Sequence, residues 1–529
     1  MIAETLYRRT FGSASLFALA LAIRVTLIGL APHADEGHYA AASYFQYLGY
    51  TKGLFTADSV IPAFGIIELY SLLVSWIYFI PAEPYFLLRL ADALIAAFSG
   101  VMIYKYLYLV TNRRLPAYLA SILLIVAINH PDFIEAGARN PIPIATLLLF
   151  CAIYLLERDS GAKLLLPACC LAASVLVREP FLMFAGVVVL FVWQQRGFRT
   201  AARFCCLAAV FGTLVILLVA ALRGGVSGAV AMYDAYAHTP ATNSDFNLTL
   251  LERIERGMGQ GKRILLLLSF CMPVLLLGLC APLFEPTLRT KKALSLYIFG
   301  IGLTLAPLTE VLIKKPYSYH LAQMFIGTGI FASYGFYAFF LVVRKIRHSR
   351  PINSWLLAGF VALGHVFLIQ DYARTMRYAA GWSLHFAPVM VLGDWSSSAV
   401  KDSYYLQIAS IVRQYSRPGD AILSTSYNVF PLTGRIPLSR RSASLSVYRL
   451  MANGIKVNEE IAGLIRERQP AVFVEEQAVL LPPRKRIDVI GNQVADLYGL
   501  SIDVGPGLSP YRQFSAKVHV AHPALSLRR

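Results

Sequence analysis

What most limits the possible folds of this chain is a series of apolar runs, each about 14 to 25 residues long, that fills it up to residue 370. Wound as helices, runs of that length match the hydrocarbon thickness of a bilayer. One water-soluble core could not hide so many of them. The composition agrees, since 57% of the 529 residues are apolar and only 15% are charged, against roughly 25% charged in an average soluble domain. Past residue 370 the texture becomes that of an ordinary soluble sequence. These observations exclude a cytosolic enzyme, a secreted protein and a disordered chain. They leave a polytopic membrane protein with one soluble appendage.

Lys and Arg number 48 against 30 Asp and Glu, a net charge of +18. Basic residues gather in the cytoplasmic loops of membrane proteins, beside anionic lipid headgroups, and no motif here points to nucleic acid as a partner. The seven cysteines, Cys151, Cys169, Cys170, Cys205, Cys206, Cys271 and Cys280, all fall in apolar runs. They read as packing residues rather than a disulfide framework or a zinc cluster.

Arg8 and Arg9 precede the first run, Phe11–Ala31, which Arg24 interrupts. Residues 31–34 resemble a leader-cleavage site. The run is long for a leader, however, and is read as an uncleaved first span with the N-terminus inside. If Ile61–Ile80 lies at the outer surface as a juxtamembrane helix, the basic loops fall inside one after another. The further spans are then 86–110, 115–130, 141–157, 164–177, 180–194, 204–222, 263–283, 293–312, 321–342 and 353–370. The short pair 164–177 and 180–194 forms a shallow hairpin turning at Arg178-Glu179-Pro180. About eleven spans place the tail opposite the N-terminus. The expected division is a membrane domain over 1–370, with its first outer loop at 32–85, and a soluble domain over 371–529. In that tail Leu406–Tyr415 and Asn458–Arg468 read as helices. Ala421–Ser424 and Ala471–Glu475 read as strands, which suggests a small α/β domain.

In this topology the acids of the membrane region cluster near the outer face and no span carries one at its centre, so chemistry at the surface fits better than a midplane ion relay. Three outer segments stand out. His33-Ala-Asp-Glu-Gly-His-Tyr39 places Asp35 and Glu36 side by side directly after the first span. One could act as general base while the other positions a substrate or metal, and Gly37 permits close backbone approach. His130–Asn140 offers Asp132, Glu135 and Arg139. Lys314-Lys-Pro-Tyr-Ser-Tyr-His320 is basic and aromatic, and two outward lysines there would suit a lipid-linked phosphate. Each segment could equally be a solvated loop or an interfacial anchor, and His38 and His320 could be simple hydrogen-bonding loop residues.

With those segments in view, the chain resembles GT-C-fold glycosyltransferases of the protein-mannosyltransferase and lipid A aminoarabinose-transferase kind. The resemblance rests on Asp35-Glu36 with His38-Tyr39 and Ala41–Tyr44 behind it, on Leu87-Leu-Arg-Leu-Ala-Asp92, on Glu135–Pro143, and on Tyr319-His320 before a late span. In the tail, Arg417-Pro-Gly-Asp420 and Leu432-Thr-Gly-Arg-Ile-Pro437 are similar to the outer domains of bacterial members. The chain has Asn140-Pro141 where many relatives carry Asp-Pro or Asp-Met. The resemblance implies a mainly α GT-C bundle with a C-terminal extracytoplasmic α/β domain, in a bacterial inner membrane with that domain periplasmic. It also implies sugar transfer from a polyprenyl-phosphate donor to a glycan, lipid or protein hydroxyl at the outer face. Asp35 would be the base, with Glu36 orienting the acceptor or a divalent ion such as magnesium or manganese. His320, Lys315, Lys314 and Arg139 would receive the donor phosphate, and His38, Tyr39, Glu135 and Tyr319 would position substrate. A flippase of lipid-linked sugars, a polysaccharide polymerase or ligase, and a non-catalytic scaffold remain as rival readings.

Overall fold

The structure, a computed structural model, describes residues 2–52, 69–135, 139, 141–158, 163–222, 249–309, 318–349, 352–424, 426, 428–438, 455–478, 494–505 and 514–521. The helices begin with α1 (Ile2–Thr26), α2 (Ala34–Lys52), α3 (Leu69–Val74), α4 (Pro84–Thr111), α5 (Arg114–Ile128), α6 (Pro131–Glu135), α7 (Pro141–Arg158), α8 (Leu165–Val177) and α9 (Phe181–Arg196). They continue with α10 (Phe198–Leu222), α11 (Leu250–Phe284), α12 (Lys291–Leu305), α13 (Ser318–Leu321), α14 (Phe325–Ser349), α15 (Ile352–Met390), α16 (Tyr404–Tyr415), α17 (Val429–Thr433) and α18 (Ile455–Arg468). By internal contacts the chain forms two units. One takes Met1–Leu27, Ala91–Val215 and Leu248–Ala380; the other takes Ile28–Leu90, Ile216–Asn247 and Gly381–Arg529.

The first unit is helical and is that of a multi-pass membrane protein. Among the described residues, Pro84–Thr111, Pro141–Arg158, Phe198–Val219, Leu250–Leu283 and Ala322–Val342 are long and apolar enough to cross a bilayer. Shorter apolar helices cover Gly12–Thr26, Arg114–Ile128, Leu165–Val177, Phe181–Arg196 and Lys292–Leu308. The hairpin between α8 and α9 turns at Arg178–Pro180, as its proline and charged pair lead one to expect. The apolar stretch ending in α14 is 72% buried, whereas that of α10 is 11% buried. The former is therefore a central helix, while the latter presents its side chains to lipid. Close packing of α11 on α14 depends on two glycines. A β-carbon at Gly278 would overlap the Phe331 carbonyl, and one at Gly335 would overlap the Val274 carbonyl. Small residues at such crossings let backbones approach where lipid removes the hydrophobic drive for association. The charge that interrupts the first run is also accounted for, because Arg24 on α1 pairs with Asp92 on α4 at 2.8 Å and donates to Asn129 Oδ1 at 2.7 Å. A guanidinium that would be costly in an apolar setting is thus neutralised and hydrogen-bonded.

The second unit joins α2 and α3 to the C-terminal elements. Of the expected juxtamembrane helix, 61–68 lie outside the described residues. The rest is α3 followed by a 3-10 turn, Ser75–Phe79. Leu73, Trp76, Phe79 and Ile80 are exposed, while Tyr70, Val74 and Ile77 are buried, so the described part of the segment is two-faced.

The C-terminal sheet has the order β2-β1-β3-β5-β4, from β1 (Ala421–Ser424), β2 (Ile436–Pro437), β3 (Val472–Ala478), β4 (Tyr498–Val504) and β5 (Phe514–Ala521). β1 is parallel to both neighbours, and the β3–β5 and β5–β4 pairs are antiparallel. Alternation sets the two faces: Phe473, Tyr498 and Ala521 pack with Ala462 and Ile465 of α18. The tail motifs are local structure. The Arg417 N–H donates to Asp420 Oδ2 at 2.6 Å to close a turn. Gly434, at φ +68°, ends α17 so that the buried Arg435 can donate to Ser416 Oγ at 2.9 Å.

Candidate active site

The turn that opens α2 is held by several hydrogen bonds. His33 caps the helix, the Gly37 N–H makes the first helical bond to its carbonyl at 3.0 Å, and Glu36 Oε2 accepts the His33 N–H at 3.5 Å. Both Glu36 oxygens are engaged by Arg89 of α4, Nε to Oε1 at 2.7 Å and Nη2 to Oε2 at 2.7 Å. Each residue is 2% exposed. Arg89 Nη1 also donates to the Ile28 carbonyl at 2.8 Å and to that of Leu30. The guanidinium therefore ties the acidic turn to the chain that leads into it, with the bidentate geometry that makes such pairs specific. Glu36, expected to orient acceptor or metal, thus has both oxygens facing a guanidinium. Among the described residues no cluster of three or more His, Cys, Asp or Glu is disposed to hold a metal.

Asp35 stands in the first turn of α2, where the helix dipole favours an anion. Its side chain and that of His38 lie outside the described residues. Tyr39 is half-buried, its ring 5.8 Å from that of Tyr70. The short helix α17 meets this turn: Asn428 Nδ2 donates to the His33 carbonyl at 3.4 Å, and Oδ1 accepts the Tyr85 hydroxyl. Asn428 carried no signal in the sequence. Arg89 sat within the Leu87–Asp92 segment noted above, but its partner there was not evident.

The remaining expected residues belong to the first unit. Arg139 is buried and donates to the Leu27 carbonyl at 2.9 Å. His320 is buried against Arg178 of the α8–α9 turn. Glu135 ends α6 and Tyr319 lies in α13, with side chains outside the described residues, as are Lys314 and Lys315 entirely. A second charged cluster was not anticipated. Arg263 lies 2.7 Å from Asp132 Oδ2 and 2.6 Å from Asp371 Oδ2, around a fully buried His130.

His130 accepts the Asp132 N–H at Nδ1, 3.3 Å away, and its Nε2 is 3.7 Å from Asp371 Oδ2. Burial, with Arg263 adding to it against the pull of the two carboxylates, lowers its pKa from 6.5 to about 4. The sign follows from linkage. The unfolded chain takes up this proton below 6.5 and the folded one only near 4, so stability present above 6.5 is lost as pH falls through that window. The thermal midpoint in detergent should fall between pH 6.5 and 4, and His130→Gln should flatten that part of the curve. An unchanged slope in the variant would show that His130 is not the group responsible.

No protein-family model and no curated protein sequence matches the chain. Solved structures do. The crystal structure of ArnT from Cupriavidus metallidurans bound to undecaprenyl phosphate aligns over 96% of this chain and 98% of that one, with TM-score 0.52 and 14% identity. The fold is GT-C. The arabinosyltransferase EmbB from Mycobacterium smegmatis aligns over 79% of this chain and 42% of that one, with TM-score 0.41 and 13% identity. The near-complete mutual coverage with ArnT means that the GT-C architecture here takes in both the helical region and the C-terminal sheet.

Proposed function

We propose that the protein is a membrane glycosyltransferase that moves a sugar from a polyprenyl-phosphate donor to an acceptor hydroxyl at the outer face of a bacterial inner membrane. The observation that carries this reading is an acidic turn held rigidly after the first helix, on a fold shared with a protein solved with undecaprenyl phosphate. The physical need for such a turn is plain. A hydroxyl has a pKa far above 7, so a carboxylate must take its proton as the oxygen attacks the anomeric carbon. Asp35 is that base. The new C–O bond forms as the bond from the anomeric carbon to the phosphate oxygen breaks, and the polyprenyl phosphate leaves with the electron pair. That leaving group needs positive charge rather than a proton, and His320, Lys315, Lys314 and Arg139 are the residues proposed for it. Tyr39, His38, Glu135 and Tyr319 are assigned to substrate positioning. A single displacement of this kind inverts the anomeric centre.

Cells lacking the protein are expected to accumulate one polyprenyl-phosphate-linked sugar. The purified protein, given that lipid and membrane acceptors, should release free polyprenyl phosphate. A flippase would leave the donor lipid chemically intact, and that result would overturn the proposal.

A further inference from the structure

We infer that the C-terminal half supplies a positioning residue, Asn428, to the turn that carries Asp35; the inference rests on the base role proposed for Asp35. Asn428 is 2% exposed. A buried amide is costly unless its donors and acceptor are used, and a nonpolar side chain would serve if the position only docked α17. Docking is already provided by Phe430, whose ring lies 5.3 Å from that of Phe45 on α2. The Asn428 amide instead bonds the His33 carbonyl and the Tyr85 hydroxyl. That carbonyl also receives the Gly37 N–H, so it is the pivot of the first turn of α2. Gly37 faces the same amide so closely that a β-carbon there would overlap it.

The turn is thus gripped on two flanks. Glu36 is held by Arg89, while His33 and Gly37 are held by Asn428. The two grips are joined, because Tyr85 and Arg89 stand one turn apart on α4, with the guanidinium 5.6 Å from the Tyr85 ring centre. Asp35 lies between the gripped residues, so its backbone has little freedom to swing. A base displaced by about 1 Å loses on the order of a hundredfold in rate, which gives such a clamp its use. The appended domain therefore acts in the chemistry by holding the catalytic turn, whatever else it binds.

The test uses the full-length protein in detergent and the donor lipid extracted from cells lacking it. Asn428→Ala should speed hydrogen exchange of peptides covering 33–40 by about tenfold while β3 peptides remain unchanged. It should lower kcat by about ten- to a hundredfold with KM within about twofold. Gly37→Ala should cause a comparable loss alone and add nothing in the Asn428→Ala background, where the overlap no longer exists. If Asn428→Ala does not reach the membrane, Tyr85→Phe should loosen the same peptides by about threefold, since it frees the amide without removing it. Unchanged exchange at 33–40, a loss confined to KM, or additive effects of the two substitutions would each overturn the inference. Full transfer by Asp35→Asn, with exchange still responding to Asn428→Ala, would instead leave the clamp standing and remove the base assignment.

Discussion

Asp35→Asn is expected to lower turnover by between about a hundredfold and ten-thousandfold, the usual contribution of a positioned general base. The amide is nearly the same shape but cannot take a proton from the acceptor. Donor binding does not depend on that proton, so KM should stay near its original value. Stability should hardly change, because an acid in the first turn of a helix contributes only about 0.3–1 kcal/mol through the dipole. The rate effect corresponds to about 3–5 kcal/mol of activation energy. Activity and stability are thereby separable in one variant. The measurement is release of polyprenyl phosphate from the extracted donor, alongside the thermal midpoint. A drop smaller than tenfold would show that another group takes the proton.

The second large effect concerns the pair that holds this turn. Arg89→Ala would leave the Glu36 carboxylate buried without its partner, and such changes destabilise by about 3–5 kcal/mol. Glu36→Ala strands the guanidinium and should cost a similar amount. The double variant Glu36→Ala/Arg89→Ala should be no less stable than either single one, since the penalty in each comes from the unpaired charge left behind. Chemical unfolding in detergent across the four proteins measures the coupling. Strict additivity would show that the two groups do not act on each other in the folded state, contrary to their 2.7 Å separation.

Much of the fold was legible in the sequence, for reasons particular to the solvent. A bilayer demands long apolar runs, and these gave α4 and α7 with ends close to those expected, and α10, α11 and α14 in place but with other bounds, α11 starting at Leu250 rather than 263. In the tail, β1 lies where its apolar run predicted and α18 where its amphipathic period did, whereas β4 and β5 were not foreseen. Their alternation of polar and apolar residues is weaker evidence than an apolar run. The acidic turn was legible too, since adjacent carboxylates after a span are unusual. Its energetics were not. Nothing in Asp35-Glu36 announces that Glu36 points into a buried guanidinium 53 residues away. Arg24, Asp92 and Asn129 were separate oddities until packing joined them. The same holds for His130 and Asp371. Charges inside a membrane protein must find partners, but the sequence does not say which.

The contact between Asn428 and the turn at His33 spans nearly the whole chain, 395 residues in sequence. A ribosome adds about 5–20 residues per second. Asp35 is therefore translated roughly 20–80 seconds before Asn428 exists to hold it. During that interval the turn at His33 lacks its amide partner. An unfinished or prematurely terminated product thus lacks this contact altogether.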